Sequence, residues 1–189
     1  MTESMIPAQK KAEKETLPLW AILLAGVVLL GFLVFLAAAL VRSQHSTLTL
    51  GSKVPDFSVT TFDGQTVSLA GLHGKTVVVN FWASWCTTCV DEAPAMKNVW
   101  EQVQGGGQVV FLGVDYADTQ PAALAFMKQY GMDYLAGPDL RSAISQMFRV
   151  SGVPETYLID GDGILRGIKI GPFSSADELL TFVQQKTDQ

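Results

Sequence analysis

The chain of 189 residues has a formal charge of −5, and its 13 basic side chains are scattered along it. Without a basic stripe to meet a phosphate backbone, nucleic-acid binding is excluded. Two cysteines are too few for a disulfide scaffold, and the roughly 140 residues beyond the N-terminal stretch can bury a core without one.

Residues 17–41, LPLWAILLAGVVLLGFLVFLAAALV, contain no charge. At about 1.5 Å per residue in a helix, such a run crosses the roughly 30 Å hydrocarbon core of a bilayer. Lys10, Lys11 and Lys14 precede it and only Arg42 follows closely, so residues 1–16 are expected to be a cytoplasmic tail and everything past the span to lie outside. A cleaved signal peptide is the competing reading, because Ala37-Ala38-Ala39 offers a small-residue cleavage site. The apolar run exceeds the ~7 to 15 residues of a signal peptide, which favours an uncleaved anchor. A buried core helix fits poorly, since every face is apolar. Either reading delivers the rest of the chain to a compartment where disulfides persist.

Residues 42–50 form a polar linker, and one domain fills 51–189. VPDFSVTTFDGQTVSL gives two short extended pieces around Asp63-Gly64, a dipeptide suited to a hairpin turn. KTVVVNFWA is an unbroken β-branched run, the pattern of a strand covered on both faces. From Thr87 the period changes: Cys89, Ala93, Met96, Trp100 and Val103 draw one apolar stripe along a helix ending near Gly105. Pro94 inside it removes one backbone hydrogen bond and is expected to bend the axis.

QVVFLGVDY is a second buried strand, and residues 121–130 form a helix. SAISQMFRV is a short helix, and ETYLIDGDGILRGIKIG makes two strands about a Gly-Asp-Gly turn. Ser175 or Asp177 then opens a terminal helix. Alternating strands and helices that close on a hairpin predict an α/β sandwich with a mixed sheet. Phe81 and Trp82 alternate on the central strand and are expected on opposite faces. The aromatic residues read as core, except Trp85, expected to be partly exposed.

The two cysteines, Cys86 and Cys89 in FWASWCTTCV, fall where a buried strand gives way to a helix. Unpaired N–H groups and the helix dipole favour an anion there, so Cys86 is a candidate thiolate nucleophile and Cys89, one turn deeper, its resolving partner. A zinc site usually takes four ligands, and only His45 and His73 are available to join the pair. Both histidines read as solvated. A bridge closing so short a loop adds little stability, which leaves exchange chemistry as the favoured reading.

VVVNFWASWCTTC resembles the active-site strand and helix of thioredoxin-like proteins. With VPDFSVTTFDGQTVSL before it and GVPETYLID after it, the stretch from about 51 to 186 is similar to the membrane-anchored TlpA/ResA/DsbE group of thiol:disulfide oxidoreductases. The resemblance implies a thioredoxin-like sandwich with an N-terminal β-hairpin after a transmembrane helix. It makes Cys86 the attacking thiol, Cys89 the resolving thiol and Pro154 a cis-proline facing them, with Val153 offering its backbone and Trp85 its surface to an extended peptide. No metal or other cofactor is implied. The implied partners are protein thiols and disulfides, including those of apocytochrome c, and a membrane electron donor of the DsbD or CcdA type.

Two acids are candidates for proton transfer or for tuning the thiols. Glu92 follows Cys89 by three positions, on the thiol side of the helix, though a solvated helix charge is the plainer alternative. Glu155, in GVPET, stands next to Pro154 and either tunes the pair or reads the substrate. Thioredoxins proper carry a buried aspartate where this chain has Asn80, and an amide cannot serve as a base near neutral pH. Any base must then be Glu92 or Glu155. The Thr87-Thr88 pair between the cysteines lacks the proline common there. A peroxiredoxin is the second enzyme reading, because PDFSVTTFDGQTVSL followed by GKTVVVNFWA takes a similar form there. The third is a tethered binding module without catalysis.

Overall fold

The computed structural model of the chain describes residues 18–43 and 48–185. The tail 1–16 with its lysines, His45, Lys186 and part of the linker lie outside the described residues. The chain divides into two units, parted after Ser46. In the first, α1 (Leu19–Ser43) is a single helix whose Leu19–Ala37 stretch is long and apolar enough to cross a membrane.

The second unit opens on a hairpin of β1 (Ser58–Thr60) and β2 (Thr66–Ser68), paired antiparallel. Gly64 takes φ +87° in its turn, and the Thr61 hydroxyl bonds the Asp63 carboxylate. Five strands make the main sheet: β3 (Thr76–Trp82), β4 (Val109–Asp115), β5 (Leu135–Pro138), β6 (Glu155–Ile159) and β7 (Leu165–Ile170). Their order is β5-β4-β3-β6-β7, with β3, β4 and β5 parallel and β6 and β7 antiparallel. The sheet is therefore mixed, as the alternation of predicted elements implies.

Both parallel pairs are joined through helices, α2 (Thr87–Val103) and α3 (Gln120–Tyr130). With the terminal α5 (Ala176–Gln184) they cover one face, where Val78, Trp82, Phe111 and Leu158 meet Met96, Phe126 and Leu179. On the other face Val77, Val79, Phe81 and Tyr157 pack with Val59 of the hairpin and with Ile144 and Phe148 of α4 (Ala143–Phe148). Phe81 and Trp82 thus occupy opposite faces, the consequence of strand alternation. Ser175 caps α5 by accepting the Glu178 N–H at 3.1 Å, which decides between the two predicted starts.

β5 is the element that sequence reading missed. It has four residues and ends on Gly-Pro, a run too short to show alternation. It is secured at the sheet edge by the hairpin, since the Phe62 N–H donates to the Ala136 carbonyl at 2.9 Å. A Cβ on Gly137 would lie 2.3 Å from the Thr60 carbonyl oxygen and 2.8 Å from Val59 Cγ1. Gly137→Ala is expected to destabilise the fold by ~1–3 kcal/mol, because backbone must move to admit the methyl group. Thermal unfolding followed by circular dichroism would show a lowered Tm; an unchanged one would refute this docking.

Candidate active site

β3 is buried along its whole length and ends at the start of the loop that leads into α2. Cys86 is the N-cap of α2, with extended backbone (φ −85°, ψ 110°), and its sulfur accepts the Cys89 N–H at 3.0 Å. This N–H has no partner within the helix, so the sulfur fills the position that a serine or aspartate oxygen usually takes. Cys86 and Cys89 form a disulfide, with Cα atoms 5.2 Å apart. Thr88 Oγ1 lies 3.4 Å from Cys86 Sγ. Both cysteines are largely covered, whereas the neighbouring Trp85 is 57% exposed. Its indole N–H donates to the Ala117 carbonyl at 3.2 Å.

The loop before β6 closes the site from the other side. The Val153–Pro154 peptide bond is cis, and the Val153 carbonyl oxygen lies 3.5 Å from Cys86 Sγ. The Pro154 carbonyl accepts the Gly171 N–H at 3.0 Å, which ties this loop to the end of β7. Trp85, Cys86, Val153 and Pro154 are therefore brought together.

The two candidate acids are separated by the sheet. Glu92 is buried on the α2 stripe, at 2% exposure, so the solvated alternative does not hold for it. Burial pushes its carboxyl up to about 7, opposed by hydrogen bonding at the Phe173 backbone and at Asn80 and by the charge of Lys169. Asn80 in turn donates to Thr156 Oγ1 at 3.0 Å. The amide in the central strand thus braces this buried acid. Tyr134, fully enclosed, is raised well above the ordinary phenol range by burial and then by the charge of Glu92.

Glu155 pairs in register with Phe81, on the face opposite Asn80 and Glu92. Its Oε1 accepts from the Ser151 N–H (3.0 Å), the Ser151 hydroxyl (2.9 Å) and the Gly152 N–H (3.3 Å). Its Oε2 accepts from the Tyr157 hydroxyl at 2.6 Å. The structure does not bring Glu155 to the cysteines, because alternation along β6 turns Thr156, and not Glu155, toward them. Its bonds instead fasten the loop that carries Val153 and Pro154.

Sequence reading also passed over Asp115 and Asp118, which lie beside the site. Asp115 ends β4 opposite Trp82 in register and is buried, and Asp118 accepts the Ser84 N–H at 2.6 Å. The available signal was a carboxylate at the C-terminal end of the strand adjoining the cysteine-bearing one. Among the described residues no group of histidine, cysteine or acidic side chains has the geometry to hold a metal ion.

Fold and site together define a thioredoxin-like thiol:disulfide oxidoreductase. A family model described as the AhpC/TSA family matches residues 50–168, and the chain belongs to that family. It is similar to the thiol-disulfide oxidoreductase ResA of Bacillus subtilis (strain 168), 31% identical over 142 residues, covering 75% of this chain and 77% of that protein. It is also similar to the thiol:disulfide interchange protein DsbE of Allochromatium vinosum, 34% identical over 126 residues, covering 64% of this chain and 66% of that one. A crystal structure of a thioredoxin-family thiol:disulfide interchange protein from Chlorobium tepidum TLS superposes with a TM-score of 0.63 at 28% identity, covering 73% of this chain and 97% of that one. The peroxiredoxin alternative is not favoured: these relatives are named for disulfide exchange, and the two cysteines here are bonded to each other.

Proposed function

We propose that the protein is a membrane-anchored reductase of polypeptide disulfides outside the cytoplasmic membrane, serving cytochrome c maturation. The observation that carries this reading is the Cys86–Cys89 disulfide at the N-terminus of α2, with the Val153 carbonyl 3.5 Å from Cys86 Sγ. In the reduced protein the Cys86 thiolate attacks a substrate disulfide, and one substrate thiolate leaves. The Cys89 thiolate then attacks Cys86 Sγ in the mixed disulfide and releases the second substrate thiolate. Two electrons pass to the substrate, and the protein is left oxidised.

The Cys89 N–H, free of any helical acceptor, stabilises the Cys86 thiolate. Glu92, one turn from Cys89 on the same buried side, takes and returns the proton of Cys89. Trp85, Val153 and Pro154 form the peptide platform, and Glu155 keeps that loop in place. Re-reduction needs a dithiol donor, because an oxidising compartment leaves the pair oxidised; a membrane carrier of the DsbD or CcdA type fits that need. In this reading α1 is a single-pass anchor within residues 17–41, residues 1–16 are cytoplasmic, 42–50 are a linker and the domain 51–189 lies outside.

The test is a Cys89→Ala chain expressed in its own cell, with the proteins disulfide-bonded to Cys86 identified by mass spectrometry. Apocytochrome c is the expected capture, with the wild-type pair found reduced in the cell. Capture of unrelated secreted chains, or a wild-type pair held oxidised, would refute the cytochrome assignment or the reducing direction respectively.

A further inference from the structure

The chain between β4 and α3 lies alongside Trp85 and is fastened there by groups that disulfide exchange itself does not use. Tyr116 N–H donates to the Trp82 carbonyl at 2.8 Å. Ala117 accepts the Trp85 indole N–H and adopts φ +50°, a left-handed conformation unusual for alanine. Asp118 accepts the Ser84 N–H and the Thr119 N–H, both at 2.6 Å. Residues 116–118 are thus fastened to residues 82–85, directly ahead of Cys86.

Asp115 stands behind this contact. It is 2% exposed, and its Oδ1 has no hydrogen-bond partner. An unpaired buried carboxylate is costly, so a proton held between it and Asp118 is the economical arrangement. Burial, then the charge of Asp118, then a hydrogen bond with it push Asp115 up to about 7. For Asp118, burial opposes ionisation, but bonds from Ser84, Thr119 and Asp115 outweigh it and hold the group below the usual carboxylate range. Among the described residues, the causes that raise Asp115 are burial and Asp118, with no lysine or arginine among them. On β3 the neighbour of Asp115 is the uncharged Trp82. The first turn of α3 bears no acid, and the α2 end presents Thr87, Thr88 and the cysteines. Beyond β5, Asp139 donates its N–H to the Asp115 carbonyl at 2.9 Å, while its own carboxylate is occupied by the Ile144 and Ser145 N–H groups.

We infer, on the reading that Cys86 and Cys89 exchange disulfides with polypeptides, that Asp115 and Asp118 are positioning residues whose shared proton locks the 115–119 segment onto Trp85 and so fixes the apolar wall that grips the substrate. When that proton is lost, two adjacent carboxylates repel each other, the segment loosens and the indole loses its anchor. Peptide capture therefore weakens above neutral pH. A small disulfide that does not reach Trp85 is affected far less.

The experiment uses the full chain in detergent micelles, with ¹⁵N labelling and two substrates: a disulfide-bridged peptide carrying apolar flanks, and oxidised glutathione. In the wild type the Ser84 amide and the Trp85 indole resonances are expected to titrate together near neutral pH, and KM for the peptide to rise between pH 6 and pH 8. Asp115→Asn, an isosteric donor at every pH, should abolish that titration and keep KM at its low-pH value. Asp118→Ala should raise the peptide KM about fivefold across the range, the effect of one lost hydrogen bond, with a much smaller change in kcat. Asp118→Asn, which keeps the side-chain oxygen, serves as the comparison if the alanine variant folds poorly, and should retain part of the effect. Resonances that do not move, or an Asp115→Asn chain with the wild-type pH profile, overturn the inference. A wild type that titrates at both resonances but exchanges with neither substrate overturns the exchange reading instead, and the substrate role of the pair with it.

Discussion

Replacing Cys86 by alanine is expected to reduce disulfide exchange to the uncatalysed background, whereas Cys89→Ala should permit a single attack and then stall as a mixed disulfide. The asymmetry follows from placement. Cys86 is the N-cap, accepts the Cys89 N–H and faces the Val153 carbonyl beside exposed Trp85. Cys89 is on the buried stripe of α2; the two cysteines are almost equally covered, at 5% and 3% exposure, so the asymmetry rests on the capping position and the Val153 contact of Cys86. On the proposed mechanism an incoming polypeptide meets Cys86 first, and only after a mixed disulfide forms does the Cys89 sulfur have a target. Rates of reduction of a bridged peptide by the pre-reduced protein, with non-reducing mass analysis of the products, separate the two variants. A Cys86→Ala chain that still forms the mixed disulfide would reverse the assigned roles.

Glu92→Gln should remove a pH dependence in both stability and rate. Burial pushes the folded carboxyl up to about 7 from the ordinary glutamate value of 4.5. Between those values the folded state binds the proton and the unfolded state does not, so stability is full below pH ~4.5 and falls as pH rises through ~7. The raised value corresponds to a loss of roughly 3 kcal/mol by pH 8, since each unit is worth about 1.4 kcal/mol. Glutamine is neutral throughout. The variant should therefore match the wild type near pH 4 and exceed its stability at pH 8 in urea unfolding at matched redox state. Asp115, raised in the same sense, leaves a residual slope that Asp115→Asn removes.

The kinetic counterpart is the resolving step. On the role proposed for Glu92, glutamine at this position cannot take the Cys89 proton, so release of the mixed disulfide should slow at neutral pH and lose its inflection near 7. A Glu92→Gln chain with an unaltered pH profile in both measurements would refute the proton role proposed for this acid.

These roles were legible in the residues to different degrees. The 3.6-residue stripe of α2, the unbroken β-branched run of β3 and the small two-residue gap between the cysteines fix a strand, a helix and the junction at which the pair sits. Periodicity and local chemistry are enough for that, because each depends on neighbours within a turn or a strand. The same local reasoning does not decide Glu92 between solvent and site. Its burial depends on α5 and on the Phe173 backbone, 81 residues further along the chain, as well as on Asn80 in β3.

Glu155 and the Asp115–Asp118 pair depended still more on the assembled sheet. A carboxylate beside a cis-proline looks like a group facing the thiols, yet register against Phe81 sends it to the opposite face, where Ser151, Gly152 and Tyr157 satisfy it. Asp115 is at the end of a strand that sequence reading had correctly found, but its relation to Ser84 and Trp85 exists only because β4 lies parallel to β3 and ends level with it. The sequence by itself determined the elements and the redox pair, because these are encoded by spacing along one segment. Which acids attend that pair was decided by the tertiary structure, because burial and hydrogen-bond partners are set by strands and helices distant in the chain.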